Sequence, residues 1–485
     1  MTAMSERFML CHAEQVLVGG RWRPSATTER IEVRNPADDQ VIASVSAGAM
    51  EDVDAAVAAA RAAFDGWSRT SRQDRLEVLE RISAAYERRA DDLAEVLSLE
   101  VGAPTRLAHG PQVGAGRGHL ASAITYLRDY PFEVDRDGTL IVREPIGVTG
   151  LITPWNWPLH QILCKVAPAL AAGCTMVLKP SEVAPLNAVV FAEVMQEAEV
   201  PAGVFNLLQG YGATVGAALA AHPDVDMISF TGSTRAGVLV AEAAAPSVKR
   251  VTQELGGKSP NILLDDVDLA AVIPAAVAGC FMNSGQSCNA PTRLLVARAQ
   301  LDEAARLAAT AARSFVTGDP SSEKTDLGPV VSEAQYLRVQ SLIKAGIEAG
   351  AQIVEGGLGR PDGFREGWFV RPTVFTGVTN DMAVAQQEIF GPVLTILPYD
   401  TEEEAIRIAN DTEYGLAAYV SSSDPDRARR VGLRLRAGQV TLNQSDGDPT
   451  APFGGYKKSG NGREQGWIAM EDFLETKAVI GYGTA

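Results

Sequence analysis

The chain is 485 residues long, more than one hydrophobic core ordinarily fills, and its 46% hydrophobic and 21% charged residues are the composition of a folded protein with two large domains. Its 43 basic and 60 acidic residues leave a formal charge of -17, which repels phosphate backbones and anionic membranes and argues against a nucleic-acid or membrane partner. Five cysteines, Cys11, Cys164, Cys174, Cys280 and Cys288, are odd in number and far apart, the usage of free thiols in a reducing cytoplasm.

At the N-terminus, MTAMSERFMLCH holds an apolar run (8–11) too short for a secretory signal. Residues 50–97 are rich in Ala, Glu and Arg, with apolar side chains at three- and four-residue intervals, and predict amphipathic helices. GAGRG (114–118) has the wrong glycine spacing for a dinucleotide fingerprint and no strand before it, so a helix-breaking turn is expected. Residues 130–147 change period: PFEV, the turn DRDG and TLIVRE read as a β-hairpin whose open edge asks for cover, hence an oligomerisation arm.

Strict alternation follows, with GVTGLIT, a helix near 160–172, CTMVLK, a helix over 187–199, GVFNLLQ, a helix over 213–221, VDMISF and a helix over 235–245. This predicts a doubly wound parallel sheet. The apolar stretch 166–178 contains Pro168 and Gly173 and falls short of the roughly 20 residues that span a bilayer. After Gly256 a second series begins, with NILLD, a helix over 269–282, RLLVAR, a helix over 301–314, LTILPY, a helix over 402–410 and AAYVSS, predicting a second α/β domain. GGLGRPDGFREG (356–367) reads as a surface loop. GGKS (256–259) is no P-loop, because Thr252 stands where the first glycine should be. The histidines His12, His109, His119, His160 and His222 never fall at metal-ligand spacing, so no metal site is expected.

The motifs with chemistry sit at strand ends. In FTGSTRAG (230–237) Gly232 allows a tight turn and Ser233 presents a hydroxyl and N–H suited to phosphate, although an ordinary capped turn has the same pattern. KPSE (179–182) offers Lys179 and Glu182 to ribose hydroxyls at the same sheet edge. In TPWNWP (153–158) Asn156 can donate to an oxyanion, held by flanking Trp and Pro. QELGGK (253–258) supplies the carboxylate of Glu254, and NSGQSC (283–288) supplies Cys288, a nucleophile credible among small turn residues; alone, either reads equally as structure.

Together with EPIGV, EIFGPV (388–393), EYGLAA and PFGGYKKSGNGRE (452–464), these motifs occur in an order that resembles the aldehyde dehydrogenase superfamily, from about Gly19 to the C-terminus. The resemblance implies two doubly wound α/β domains, a Rossmann-like NAD domain (1–129 and 148–255) and a catalytic domain (256–468), with a β-hairpin oligomerisation arm (130–147 and 469–485). It makes Cys288 the nucleophile, Glu254 the general base, Asn156 the oxyanion donor and Lys165 a support of the active site. The implied cofactor site comprises Thr153, Pro154, Trp155, Lys179, Ser181, Glu182, Gly212, Phe230, Thr231, Gly232, Ser233, Leu255, Gly256, Glu388 and Phe390. The implied activity is oxidation of an aldehyde to the acid through a Cys288 thioester, and Glu254 argues against the CoA-acylating branch.

A carboxylate at Glu182 accepts from a ribose 2′-hydroxyl and repels a 2′-phosphate, so NAD is expected over NADP, with Lys179 partly offsetting the repulsion. His160, Gln161, Cys164, Ser287, Asn289, Gln444 and Phe453 are expected to line the substrate tunnel. Cys164 stands where the family often carries a bulky aromatic, and is expected to widen it. Asp446 and Asp448 in QSDGDPT (444–450), with no arginine beside them, are expected to disfavour acidic semialdehydes. The hairpin and LETKAVIGY imply a dimer or tetramer, between which the residues do not choose.

Overall fold

Both alternating series close into parallel sheets in the computed structural model, which describes residues 12–483. Cys11 and the N-terminal run read above lie outside the described residues. In the first sheet Val148–Ile152 runs parallel to Thr175–Lys179 on one side and to Met227–Thr231 on the other. Phe205–Leu207 and Arg250–Glu254 extend the two flanks in parallel. Every residue of the three central strands is buried, as expected for strands covered by helices on both faces.

The chain moves outward from Val148–Ile152 through Thr175–Lys179, then returns to its other side with Met227–Thr231. That reversal is a topological switch point, where the loops after adjacent strands diverge and open a crevice. The register sets Ile152 beside both Lys179 and Phe230, and Thr231 beside Glu254, so TPWNWP, KPSE, FTGSTRAG and QELGGK leave from one edge.

Two antiparallel strands not anticipated from sequence, Gln15–Val18 and Arg21–Pro24, extend this sheet beyond Phe205–Leu207. At its other border Gly460–Asn461 pairs antiparallel with Arg250–Glu254, bringing the C-terminal segment beside the first sheet. The second sheet contains, in order, Gln352–Glu355, Thr373–Thr376, Val393–Tyr399, Arg293–Ala297, Pro260–Leu263, Ala417–Ser421 and Gln439–Leu442. Only Gln352–Glu355 pairs antiparallel.

The hairpin forms from Glu133–Arg136 and Thr139–Pro145 around Asp137 and Gly138, whose φ values of 49° and 85° belong to a type I′ turn. Leu474–Ile480 pairs antiparallel along the whole of Thr139–Pro145. The expected turn at 114–118 is corrected: these glycines lie inside the helix Val113–Asp129. A Cβ on Gly116 would lie 2.4 Å from Tyr86 Oη and 2.7 Å from Leu163, so the residue admits close helix packing rather than breaking the helix. Among the described residues no helix is long and apolar enough to cross a membrane.

Candidate active site

After the helix Leu269–Phe281, Asn283, Ser284 and Gly285 all take positive φ, at 55°, 55° and 72°. Three left-handed residues in succession reverse the chain and bring Cys288 to partial exposure, whereas Cys164, Cys174 and Cys280 are buried. Gly285 is required here, since a Cβ would stand 2.1 Å from Gly391 O in the EIFGPV loop. For Asn283 and Ser284 the conformation costs on the order of 1 kcal/mol each. Hydrogen bonds hold it: Ser284 Oγ donates to Gly328 O at 2.8 Å, Gln286 Nε2 to Asn283 O at 3.1 Å, and Val331 N to Gln286 Oε1 at 2.9 Å.

TPWNWP is laced to this loop. Asn156 is 3% exposed and donates through Nδ2 to Gln286 O at 3.0 Å, while its own carbonyl accepts from Asn283 Nδ2 at 2.8 Å and Gln112 Nε2 at 3.1 Å. Trp157 Nε1 donates to Ser287 Oγ at 2.8 Å. One amide N–H of Asn156 is thus committed and its second is left for a ligand oxygen.

Glu254 closes its strand at 4% exposure, and neither carboxylate oxygen has a protein partner. Burial and then the charge of Glu464 push its carboxyl well above the usual range, against the pull of Lys165 and Arg463. Lys165, on the helix Pro158–Ala172, donates to Ser229 Oγ at 3.1 Å and forms an ion pair with Glu464 Oε1. Burial alone would depress this ammonium, but Glu464 carries it above its ordinary value. The Cys288 thiol is pushed far up by burial, then by Glu388 and Glu254, so both carboxylates lie near enough for their charge to act on it.

Along the sheet edge, Lys179 Nζ pairs with Glu182 Oε2 at 2.8 Å, and Gly212 N donates to Glu182 Oε1 at 3.3 Å. Burial works against the ionised Glu182, but Lys179 holds its carboxyl below the usual value. The hydroxyls of Thr153 and Thr231, on the two strand ends flanking the switch point, are buried without partners. Ser181 accepts from Val183 N at 3.2 Å. Ser233 caps the helix Thr234–Ala244 by accepting from Ala236 N at 3.3 Å, and Gly232 N donates to Glu254 O at 3.1 Å.

Leu255 is buried, and Gly256 faces Glu388, whose Oε2 would lie 2.5 Å from an added Cβ. Gly257 N donates to Glu388 Oε1 at 3.0 Å. Phe390, at φ 60°, meets Trp155 edge-on with centroids 5.3 Å apart, so EIFGPV closes on the loop that also carries Pro154.

The tunnel residues are less uniform. His160 Nδ1 lies 2.8 Å from His119 Nε2, and burial draws His160 down to about 4. Gln161 is buried, Asn289 O accepts from Tyr419 Oη at 3.0 Å, and Gln444 Nε2 donates to Val272 O at 2.8 Å. Phe453 pairs through its backbone with Glu464. Cys164 is 2% exposed and its thiol donates to Glu464 Oε2 at 3.2 Å. Asp448 accepts from Thr450 N at 2.8 Å and caps a turn. Trp157, Gln286 and Glu464 lay within noted motifs, TPWNWP, NSGQSC and PFGGYKKSGNGRE, and His119 among the noted histidines, but none was given a part in the site.

Residues 22–479 match the sequence model of the aldehyde dehydrogenase family. A 3-succinoylsemialdehyde-pyridine dehydrogenase of a Pseudomonas species is 55% identical over 96% of this chain and 98% of its own. A crystallised mutant of aldehyde dehydrogenase C from Pseudomonas syringae, in complex with NAD+ and octanal, is 54% identical with a TM-score of 0.97 over 98% of both chains. The Mycobacterium tuberculosis aldehyde dehydrogenase in complex with NAD+ is 42% identical with a TM-score of 0.94, over 96% of this chain and 98% of that one. The chain belongs to the aldehyde dehydrogenase family.

Proposed function

We propose that the crevice oxidises an aldehyde to its carboxylic acid, with Cys288 as nucleophile, Asn156 as oxyanion donor and Glu254 as base. The observation that carries this is the buried carboxylate of Glu254, left without any protein partner, whose charge acts on Cys288 in the loop that Asn156 fixes. A carboxylate so placed is free to take a proton from water. The Cys288 thiol gives its proton to solvent, its sulfur adds to the aldehyde carbon, and the oxygen that gains charge lies against the second amide N–H of Asn156 and the Cys288 backbone N–H. When bound, NAD would supply the acceptor for the hydride that the resulting thiohemiacetal carbon gives up. Glu254 then deprotonates water, which attacks the thioester, and Cys288 leaves as thiolate. Lys165 and Glu464 hold the charge facing Glu254.

The crevice fits NAD: the unpartnered hydroxyls of Thr153 and Thr231 await a polar ligand, and Gly256 leaves room that a side chain would fill against Glu388. Lys179, Ser181, Glu182 and Gly212 would hold the adenosine end, Phe230, Thr231, Gly232 and Ser233 the pyrophosphate, and Thr153, Pro154, Trp155, Leu255, Gly256, Glu388 and Phe390 the nicotinamide end. The ionised Glu182 favours NAD over NADP.

For the substrate we infer a neutral aldehyde with an extended tail, in line with the 3-succinoylsemialdehyde-pyridine in the name of one Pseudomonas relative and the octanal in the complex of the other, passing His160, Gln161, Cys164, Ser287, Asn289, Gln444 and Phe453. Residues 1–129 with 148–255 form the cofactor domain and 256–468 the catalytic domain. The arm (130–147 and 469–485), with Val134, Val479 and Ile480 exposed, joins subunits into a dimer or tetramer in a reducing cytoplasm. Light scattering of the purified protein reads the assembly, and a monomer would refute it.

The decisive experiment is Cys288→Ala with octanal and NAD: NADH formation must vanish, and surviving turnover would sink the assignment. On the intact enzyme, kcat/KM for octanal and for 3-succinoylsemialdehyde-pyridine should exceed that for succinic semialdehyde; the reverse order would overturn the substrate class.

A further inference from the structure

We propose that Cys164 is a positioning residue for the hydrolytic half-reaction: by donating its thiol hydrogen to Glu464, it fixes the charge that faces Glu254 and so governs how readily Glu254 serves as a base. This rests on the reading of Glu254 as the base. The two oxygens of Glu464 are divided between adjacent residues of one helix, Oε1 to Lys165 Nζ and Oε2 to Cys164 Sγ at 3.2 Å. The thiol has one hydrogen, and its other contacts, Gln161 O at 3.4 Å and Gln161 Oε1 at 4.0 Å, are longer. Burial, and then the charge of Glu464, keeps this thiol protonated far above its usual range, so it remains a donor across the working pH. Lys165 is braced by Ser229 Oγ on the neighbouring strand, and the backbone of Glu464 is braced by its pairing with Phe453.

Around this carboxylate stand titratable and charged groups from each element packed against it. From the helix come Cys164, Lys165 and His160, with His119 behind His160; from the first sheet comes Glu254; from the C-terminal segment come Arg463 and Asp472, the latter accepting from Arg463 N at 3.0 Å and facing Arg250. The charge of Glu464 is, after burial, what lifts the Glu254 carboxyl most. Cys164 and Lys165 hold one oxygen of that charge each and keep it facing Glu254. Removing the thiol frees one oxygen, loosens the charge from its place and weakens its repulsion, so Glu254 becomes a base at lower pH.

The test is the pH profile of acyl-enzyme hydrolysis, followed after acylation of the full-length enzyme with p-nitrophenyl acetate, which needs no cofactor. Cys164→Ala should shift the acid limb to lower pH by about 0.5 to 1 unit, the effect of one lost hydrogen bond to a carboxylate. Cys164→Val, which refills the space but cannot donate, should do the same, and carries the test should the alanine variant fail to fold. Cys164→Ser, which can donate, should keep the wild-type limb. With Glu464→Gln already present, Cys164→Ala should add no shift. A limb that stays within about 0.2 unit of wild type in both donor-less variants, or an equal shift in the Glu464→Gln background, overturns the proposal. Turnover by Cys288→Ala would instead remove the reading on which it rests.

Discussion

The two ends of the crevice are built in different ways. At the Cys288 end the nucleophile's loop is satisfied from within, and Glu254 alone of the reacting groups is left without a partner: Asn156, Trp157, Asn283, Ser284 and Gln286 bond the two loops from different sheets, and these bonds support three left-handed residues before the nucleophile. At the cofactor edge, by contrast, Thr153 and Thr231 have buried hydroxyls with nothing to bond, and Lys179 and Glu182 mainly bond each other. The difference separates two tasks. The reacting sulfur is held before any ligand arrives, because misplacement by a fraction of an ångström slows the chemistry. The cofactor edge leaves its bonding incomplete, so a ligand gains by completing it.

Removing the base should have the largest effect on this pre-arranged end. Glu254→Gln keeps the shape but cannot accept a proton, so steady-state turnover is expected to fall by about 10²- to 10⁴-fold. A burst of NADH equal to the enzyme concentration should survive in rapid-mixing experiments, because the base acts after hydride transfer. Loss of the burst together with turnover would place Glu254 in the first half of the reaction instead. Asn156→Ala should follow, with kcat lower by about 10²- to 10³-fold, the loss typical of one oxyanion donor. Part of that loss reflects the loop, since the same amide holds Gln286 O; thermal unfolding of the variant separates the two contributions.

Gly285→Ala tests the loop without touching a reacting group. Its Cβ would meet Gly391 O and its φ of 72° disfavours any side chain, so destabilisation of about 2–4 kcal/mol is expected in denaturant titration. Gly118→Ala is the control, with nothing within 4 Å of the new Cβ in the helix Val113–Asp129, and should stabilise by about 0.5–1 kcal/mol. Equal effects at the two glycines would contradict the picture of a nucleophile loop held by tight packing.

These contrasts also mark what could be read from residues in order. Strand ends carrying KPSE, TPWNWP, FTGSTRAG and QELGGK were legible because parallel alternation puts every carboxyl end on one edge. The pairing of Lys165 with Glu464 was not, since it joins residues 299 positions apart through a two-residue strand, Gly460–Asn461, that crosses to the first sheet. The contact of Cys164 with Glu464, 300 positions apart, was hidden for the same reason. The run of positive φ at Asn283 and Ser284 left no sign either, because only Gly285 is a residue type that announces it. At 114–118 glycine misled, since its use there is contact with Tyr86 rather than a turn.

At the cofactor edge the expected effects are smaller. Glu182→Ser removes the charge beside the ribose, leaving Lys179 unopposed, and should shift the ratio of kcat/KM for NADP to that for NAD upward by about tenfold. An unchanged ratio would mean that Glu182 is not what distinguishes the two cofactors.

The mildest effect is expected at Glu388, where the two ends of the crevice meet. Burial lifts its carboxyl to about 7, against the Gly257 N–H, Arg338 and Lys258, which favour the ionised form. A ribose hydroxyl that donates to this carboxylate binds the ionised form, so binding must draw its proton off at acid pH. NAD affinity should therefore be weakest below about pH 7, improve a few-fold as pH rises through that value, and level off above it. Fluorescence titration of the cofactor at a series of pH values reads this directly. Glu388→Gln, which offers an acceptor oxygen that does not titrate, should bind with intermediate affinity and a flat profile; a slope that persists in this variant would assign the dependence to another group, with the Lys179–Glu182 pair next in line.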